Sequence, residues 1–255
     1  MTAVLLAAVL GAAPADAEAS YRAGLAARDD AAAARPHFVA AAEGFEAAWD
    51  RGDRSPGLAA NMAQARLLAG DLGRAVRNYR TGLRAFPHDP GLKRGLEHAR
   101  GEVSYPHAND VRELARPRET GSLLDRLPLT IIRLVVGAAV LAAVGWVALA
   151  RAAIVRRGGL SVVGAALVAG ATAAGVWAWV EDDRARRHWG ERTAVLTAGA
   201  ELRTGNSEDY PKRIDGRLPA GTELRVLGDR GGWLHVELGS GIAGWVRGDR
   251  AAVVN

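Results

Sequence analysis

The sequence predicts a multidomain membrane protein in three parts: an all-α helical region, a two-helix transmembrane hairpin and a small all-β barrel. Three observations predict it. Hydrophobic residues fill 49% of the 255 positions while aromatic ones supply only 5%, so the apolar mass is Ala, Val and Leu. Two long runs in the middle of the chain carry no charge. Apolar spacing follows a helical period before those runs and a period of two after them.

The uncharged runs are Leu134 to Ala150 and Leu160 to Val180, the second 21 residues long. A helix rising about 1.5 Å per residue needs roughly 20 residues to cross a 30 Å hydrocarbon core. Transmembrane helices are therefore expected over 129–150 and 160–180. The loop 151–159 (RAAIVRRGG) holds three arginines and a Gly pair that suits a turn. Trp146, Trp177, Trp179 and Trp189 stand near the run ends, where indole rings favour a membrane boundary. Neither run contains Asp, Glu, His or Lys, which removes the side chains a proton relay or ion pathway uses.

Residues 1–17 end in Ala15-Asp16-Ala17 after an apolar stretch, the form of a signal peptide, although no Lys or Arg precedes the stretch. The alternative is an apolar helix start. Arginines on both sides of the hairpin leave its orientation open by charge alone. With a signal peptide, a two-pass protein of the bacterial inner membrane results, both soluble regions facing the periplasm.

Residues 18–104 are Ala-rich with helical apolar spacing, interrupted near Asp29-Asp30, Gly52 to Pro56, Gly70-Asp71 and Pro87 to Pro90. These breaks delimit about five helices. Pro56 to Asp89 resembles a tetratricopeptide (TPR) repeat over its 34-residue period: Met62-Ala63 in the first helix, Gly70-Asp71 at the turn, Ala75 and Tyr79 in the second helix, Pro87 at the end. Gly82 and Arg66 depart from the pattern, which usually has Ala and an aromatic there. A TPR-like region implies a protein-binding surface, with Ala60, Gln64 and Leu67 towards its concave side. Residues 105–128 contain Pro106, Pro117 and Pro128 with little periodicity and read as a linker, as do 181–190.

From 191 to 255 short alternating segments are separated by Gly-rich turns. Leu202-Arg203-Thr204-Gly205, Leu218 to Thr222, Gly231 to Val236 and Gly241 with Gly244-Trp245-Val246 occur in the order and spacing of the bacterial SH3-like (SH3b) family, which this region resembles. The resemblance implies an SH3-like barrel. Trp233 and Trp245 have two readings there: packing in the barrel, or, with Tyr210, an aromatic groove for an extended peptide or glycan. His235 alternates with Leu234 and Val236 and reads as solvent-facing.

The chain has no Cys, which excludes disulfides, thiolate metal sites and a Cys nucleophile. His235 has no second His or carboxylate pair beside it, so no enzyme, metal or cofactor is expected. The net charge of +5 lies mostly in 105–189, with 11 basic and seven acidic residues, so nucleic acid is not expected as a partner. Helical repeats, membrane hairpin and SH3-like barrel in this order resemble the TPR/SH3 proteins of bacterial aerotolerance (Bat) operons. The resemblance implies an envelope scaffold working with von Willebrand A-type membrane proteins, in contact with membrane lipid. A second reading is an anchor in which the barrel grips peptidoglycan and the repeats recruit an enzyme.

Overall fold

The computed structural model describes residues 15–105, 111–115, 117 and 186–254, with scattered helical positions in 136–147 and 176–184. The chain divides into two compact units, one formed by residues up to 118 together with those from 189 onward, the other by 119–188.

The first unit begins with five helices: α1 (Ala15–Ala26), α2 (Ala31–Asp50), α3 (Pro56–Leu68), α4 (Leu72–Ala85) and α5 (Pro90–Gly101). Each break in the sequence acts as a cap. Asp30, Ser55, Asp71 and Asp89 accept backbone N–H bonds from the first turns of α2 to α5. Pro56 and Pro90 occupy the first helical position, where a missing N–H costs nothing. Gly70 leaves α3 at φ +75°, a left-handed conformation that suits Gly after a helix.

The helical core is small-residue packing around Phe45, Met62, Leu83, Leu92 and Leu96. A Cβ on Gly82 would sit 2.7 Å from Ala59 Cβ, so the departure from Ala at this position lets α4 lie close against α3. Arg66, standing where an aromatic is usual, is buried and donates to Glu46 on α2 at 2.9 and 2.5 Å. Asn78 on α4 donates to the same carboxylate at 2.7 Å. One ion thus ties three helices. Burial pushes the Glu46 carboxyl up, but the Arg66 and Asn78 hydrogen bonds outweigh it and leave the carboxyl below its ordinary value.

The strands are β1 (Thr193–Leu196), β2 (Glu223–Arg230), β3 (Trp233–Glu237), β4 (Ala243–Arg247) and β5 (Ala251–Val253), with a 3-10 turn at Gly248–Arg250. They form one antiparallel sheet in the order β4-β3-β2-β1-β5. This corrects the expected SH3-like barrel: the described sheet is open, because its end strands are occupied otherwise than by each other. On the β4 side, Trp245 exchanges backbone hydrogen bonds with Arg203 in the loop after β1, at 2.8 and 2.9 Å. On the β5 side α4 packs alongside, and Arg77 Nε donates to Val253 O at 3.5 Å.

Residues 105–128 read as a linker in the sequence. Within this expected linker, α6 (Val111–Ala115) buries Val111 and Ala115 in the sheet core beside Leu202, Leu218 and Val236. Ser240 N donates to Leu114 O at 3.1 Å, fixing α6 to the β3–β4 loop.

The expected two-helix transmembrane hairpin is overturned. Among the described residues no helix is long and apolar enough to cross a membrane, and the two-pass inner-membrane localisation falls with it. An uninterrupted apolar run expresses a solvent preference and does not by itself set the length of a helix. The expected signal peptide, the arginine loop and much of both runs lie outside the described residues. Within 119–188, the described helical positions leave Val144 and Trp179 exposed, and Arg187 pairs with Asp183 one turn away.

Candidate functional site

The helical and sheet regions of the first unit meet along α4, β1 and β5. Val195 and Val254 join the helical core cluster, and Trp189 packs against it. A Cβ on Gly73 would fall 2.3 Å from Leu196 O, so α4 lies directly on the β1 backbone. Beside that contact Glu223, fully buried at the start of β2, accepts from Arg80 Nη1 at 2.8 Å and from Arg100 Nε at 2.6 Å. Arg80 Nη2 also donates to Thr193 Oγ1 at 3.0 Å, and its guanidinium lies 5.1 Å from the Trp189 ring centroid. Burial pushes the Glu223 carboxyl up, but Arg80 and Arg100 outweigh it and hold the group below the usual carboxylate range. Sequence spacing did not single these residues out. The available signal was α4 itself, LGRAVRNYRTGLRA, with four arginines and no acid.

The seam fixes the sheet, and the sheet presents the candidate site on its other strands. On β3 the side chains of Leu234 and Val236 enter the core, while Trp233, His235 and Glu237 take the opposite face. Register sets Trp233 opposite Arg247 and His235 opposite Trp245 on β4. The His235 and Trp245 rings stack with centroids 4.8 Å apart, so His235 is half-buried and not simply solvent-facing. Arg225 on β2 closes the row by donating Nε to Glu237 Oε2 at 2.9 Å.

The β2–β3 hairpin turns through Gly231 and Gly232, both at positive φ (58° and 79°), as a two-residue turn requires. That turn, the loop at Asn206 to Glu208 and the segment Arg247 to Asp249 enclose an open groove of about 820 Å³ with Trp233 on its wall. Arg247 is locked in place: Nη1 donates to Glu208 Oε1 at 2.8 Å, and Nη2 and Nε donate to Asp249 at 2.9 and 3.1 Å. Asp229 pairs with Arg192 at 2.9 Å. The groove therefore combines an indole, preset ion pairs and the side chains of Asn206 and Arg230.

The five residues expected at a site are not brought together. Trp233 lines the groove, and Trp245 lies on the same sheet face but is covered on one side by His235. Tyr210 is 47% exposed and sits over Gly205, where a Cβ would come within 2.5 Å of its ring; it does not line the groove. Gln64 accepts a hydrogen bond from Tyr79 Oη at 3.1 Å, and Leu67 packs against the helical core. Both serve the helical region internally. Burial beside Tyr21 pushes the Tyr79 hydroxyl up to about 12, so it stays a neutral donor.

Ser207 donates to Asp209 at 2.9 Å, and no histidine lines the groove. No group of three metal-ligating side chains occurs among the described residues. No protein-family model, curated protein or solved structure matches the chain.

Proposed function

We propose that the chain is a non-enzymatic binding scaffold whose recognition surface is the Trp233 groove, in keeping with its resemblance to the Bat-operon TPR/SH3 family. The observation that carries the proposal is the half-buried indole of Trp233 in an open groove, beside Arg247 held rigid by two carboxylates. A rigid aromatic anchor beside preset polar groups binds with little loss of side-chain freedom. Trp245 of β4 and Val253 of β5 already have their outward backbone groups engaged, which favours recognition by side chains over addition of a strand. The partner class implied by the resemblance is a von Willebrand A-type domain.

Crosslinking co-purification of the intact chain, compared with Trp233→Ala, tests the proposal. A von Willebrand A-type protein recovered with the parent and lost with the variant is the expected result; identical recovery removes the groove from the interaction.

A second reading, binding of peptidoglycan, is favoured by the same indole lying among Asn206, Glu208 and Asp249, a set suited to the faces and hydroxyls of a sugar. Retention of the parent but not Trp233→Ala on purified sacculi would put that reading first.

A further inference from the structure

Charge is segregated within the helical region. Residues 18–71 carry six basic and eight acidic side chains, whereas 72–101, covering α4 and α5, carry seven basic and two acidic. Arg80 and Arg100 share the single carboxylate of Glu223, and the carboxylate of Asp89 is engaged as the α5 cap. Arg74 pairs with Asp71 at 3.1 Å. Arg77 and Arg84 form no direct ion pair among the described residues, although the charge of Arg77 helps to lower the Glu46 carboxyl. Their guanidiniums donate to neutral oxygens only: Arg77 to Val253 O and Asn78 Oδ1, Arg84 to Val254 O at 3.0 Å.

Seven residues apart, Arg77 and Arg84 lie about 10 Å apart along α4 and within roughly 20° of one face. Their bonds to Val253, the last residue of β5, and to Val254, which follows it, fix that face beside β5. Arg74, one turn before Arg77 and 53% exposed, extends the row to about 15 Å.

We infer that this arginine row on α4, alongside β5, is a second docking surface that takes an acidic, extended polypeptide segment. The occupant follows from charge and length. Alternate side chains of an extended chain share one side at intervals of about 6.6 Å, so two or three carboxylates span the row. Guanidinium forks match carboxylates in pairs of charge-assisted bonds. Nucleic acid fits less well, because no exposed aromatic on α4, α5 or β5 offers a stacking platform, and three arginines are fewer than the six to ten or so phosphate contacts that sustain strong electrostatic binding. None of these arginines lines the Trp233 groove, so the two surfaces are separable.

The test is fluorescence anisotropy with the full chain at about 0.15 M salt, where weak surface attraction is screened. The probes are a labelled peptide of roughly ten residues alternating Glu and Ser, long enough to cover the row, and a single-stranded oligonucleotide of equal charge. The peptide should bind more tightly than the oligonucleotide. Arg77→Gln with Arg84→Gln should weaken it about ten-fold or more, Arg77→Lys with Arg84→Lys should weaken it less, since the charge stays while the paired guanidinium bonds are lost, and Arg51→Gln, at an exposed position away from both surfaces, should leave it unchanged. Circular dichroism checks the fold; should the double variant unfold, Arg84→Glu at its exposed position serves instead. Tighter oligonucleotide binding, absent peptide binding by the parent, or full peptide affinity in the neutral variants overturns the inference.

Discussion

The helical region and the sheet region each depend on a buried or half-buried carboxylate, but the two ions join different things. Glu46 is held by Arg66 and Asn78, so its bonds stay among α2, α3 and α4. Glu223 belongs to the sheet, yet its partners Arg80 and Arg100 belong to α4 and α5. The same chemistry consolidates one region in the first case and fuses two in the second. What looks like a pair of modules in the sequence is a single body at the seam.

The largest test of that comparison is Glu223→Ala, which leaves two guanidiniums without their counterion. It should cost about 3–5 kcal/mol, read in denaturant titrations followed both by helical circular dichroism and by tryptophan fluorescence. Both signals should shift together; a shift confined to the fluorescence would mean that the regions unfold independently. Arg66→Ala should cost less, about 2–3 kcal/mol, because Glu46 is partly solvated and keeps Asn78. Gly73→Ala should cost about 1–3 kcal/mol by forcing α4 off the β1 backbone, and it should lower stability without touching either carboxylate.

Acid separates the two ions further. A carboxyl whose folded pKa lies below its unfolded value of about 4.3 stabilises the fold above the unfolded value and loses that contribution as pH falls through the folded one. Both Glu46 and Glu223 are lowered, so stability should decline below about pH 5. In Glu223→Gln, measured by unfolding at successive pH values, the decline should be shallower than in the parent; an unchanged slope would show that Glu223 does not carry it. The smallest effect on stability is expected for Trp233→Ala, within about 1 kcal/mol because the ring is half-exposed, although partner capture is lost.

The helix ends were legible because caps and prolines act locally: Asp30, Ser55, Asp71 and Asp89 mark the starts that they chemically stabilise. The alternation in β3 likewise shows which side chains share a face. Alternation does not show what covers a face. All four residues of β1 are buried, and Thr193 and Glu223, polar and outward by pattern, lie under α4. Closure was not legible either, since it depends on what meets β4 and β5 from distant parts of the chain. Helix α6 has only five residues, too few for periodicity to register, yet Val111 and Ala115 complete the sheet core. For the site, aromatic content pointed to Trp233. The placement of Tyr210 over Gly205 and the use of Gln64 by Tyr79 are tertiary facts that no local pattern encodes.

The seam also sets a clock during synthesis. Arg80 precedes Glu223 by 143 residues and Arg100 precedes it by 123. At roughly 5–20 residues per second, a ribosome exposes both arginines about 6–30 seconds before their counterion leaves the exit tunnel. For that interval the α4 surface stands uncovered, with Gly73, Arg77, Arg80 and Arg84 open to any anionic chain nearby. Arrest of translation before residue 223 would leave the helical region without the sheet residues that complete its core and with the arginines of α4 lacking the Glu223 carboxylate.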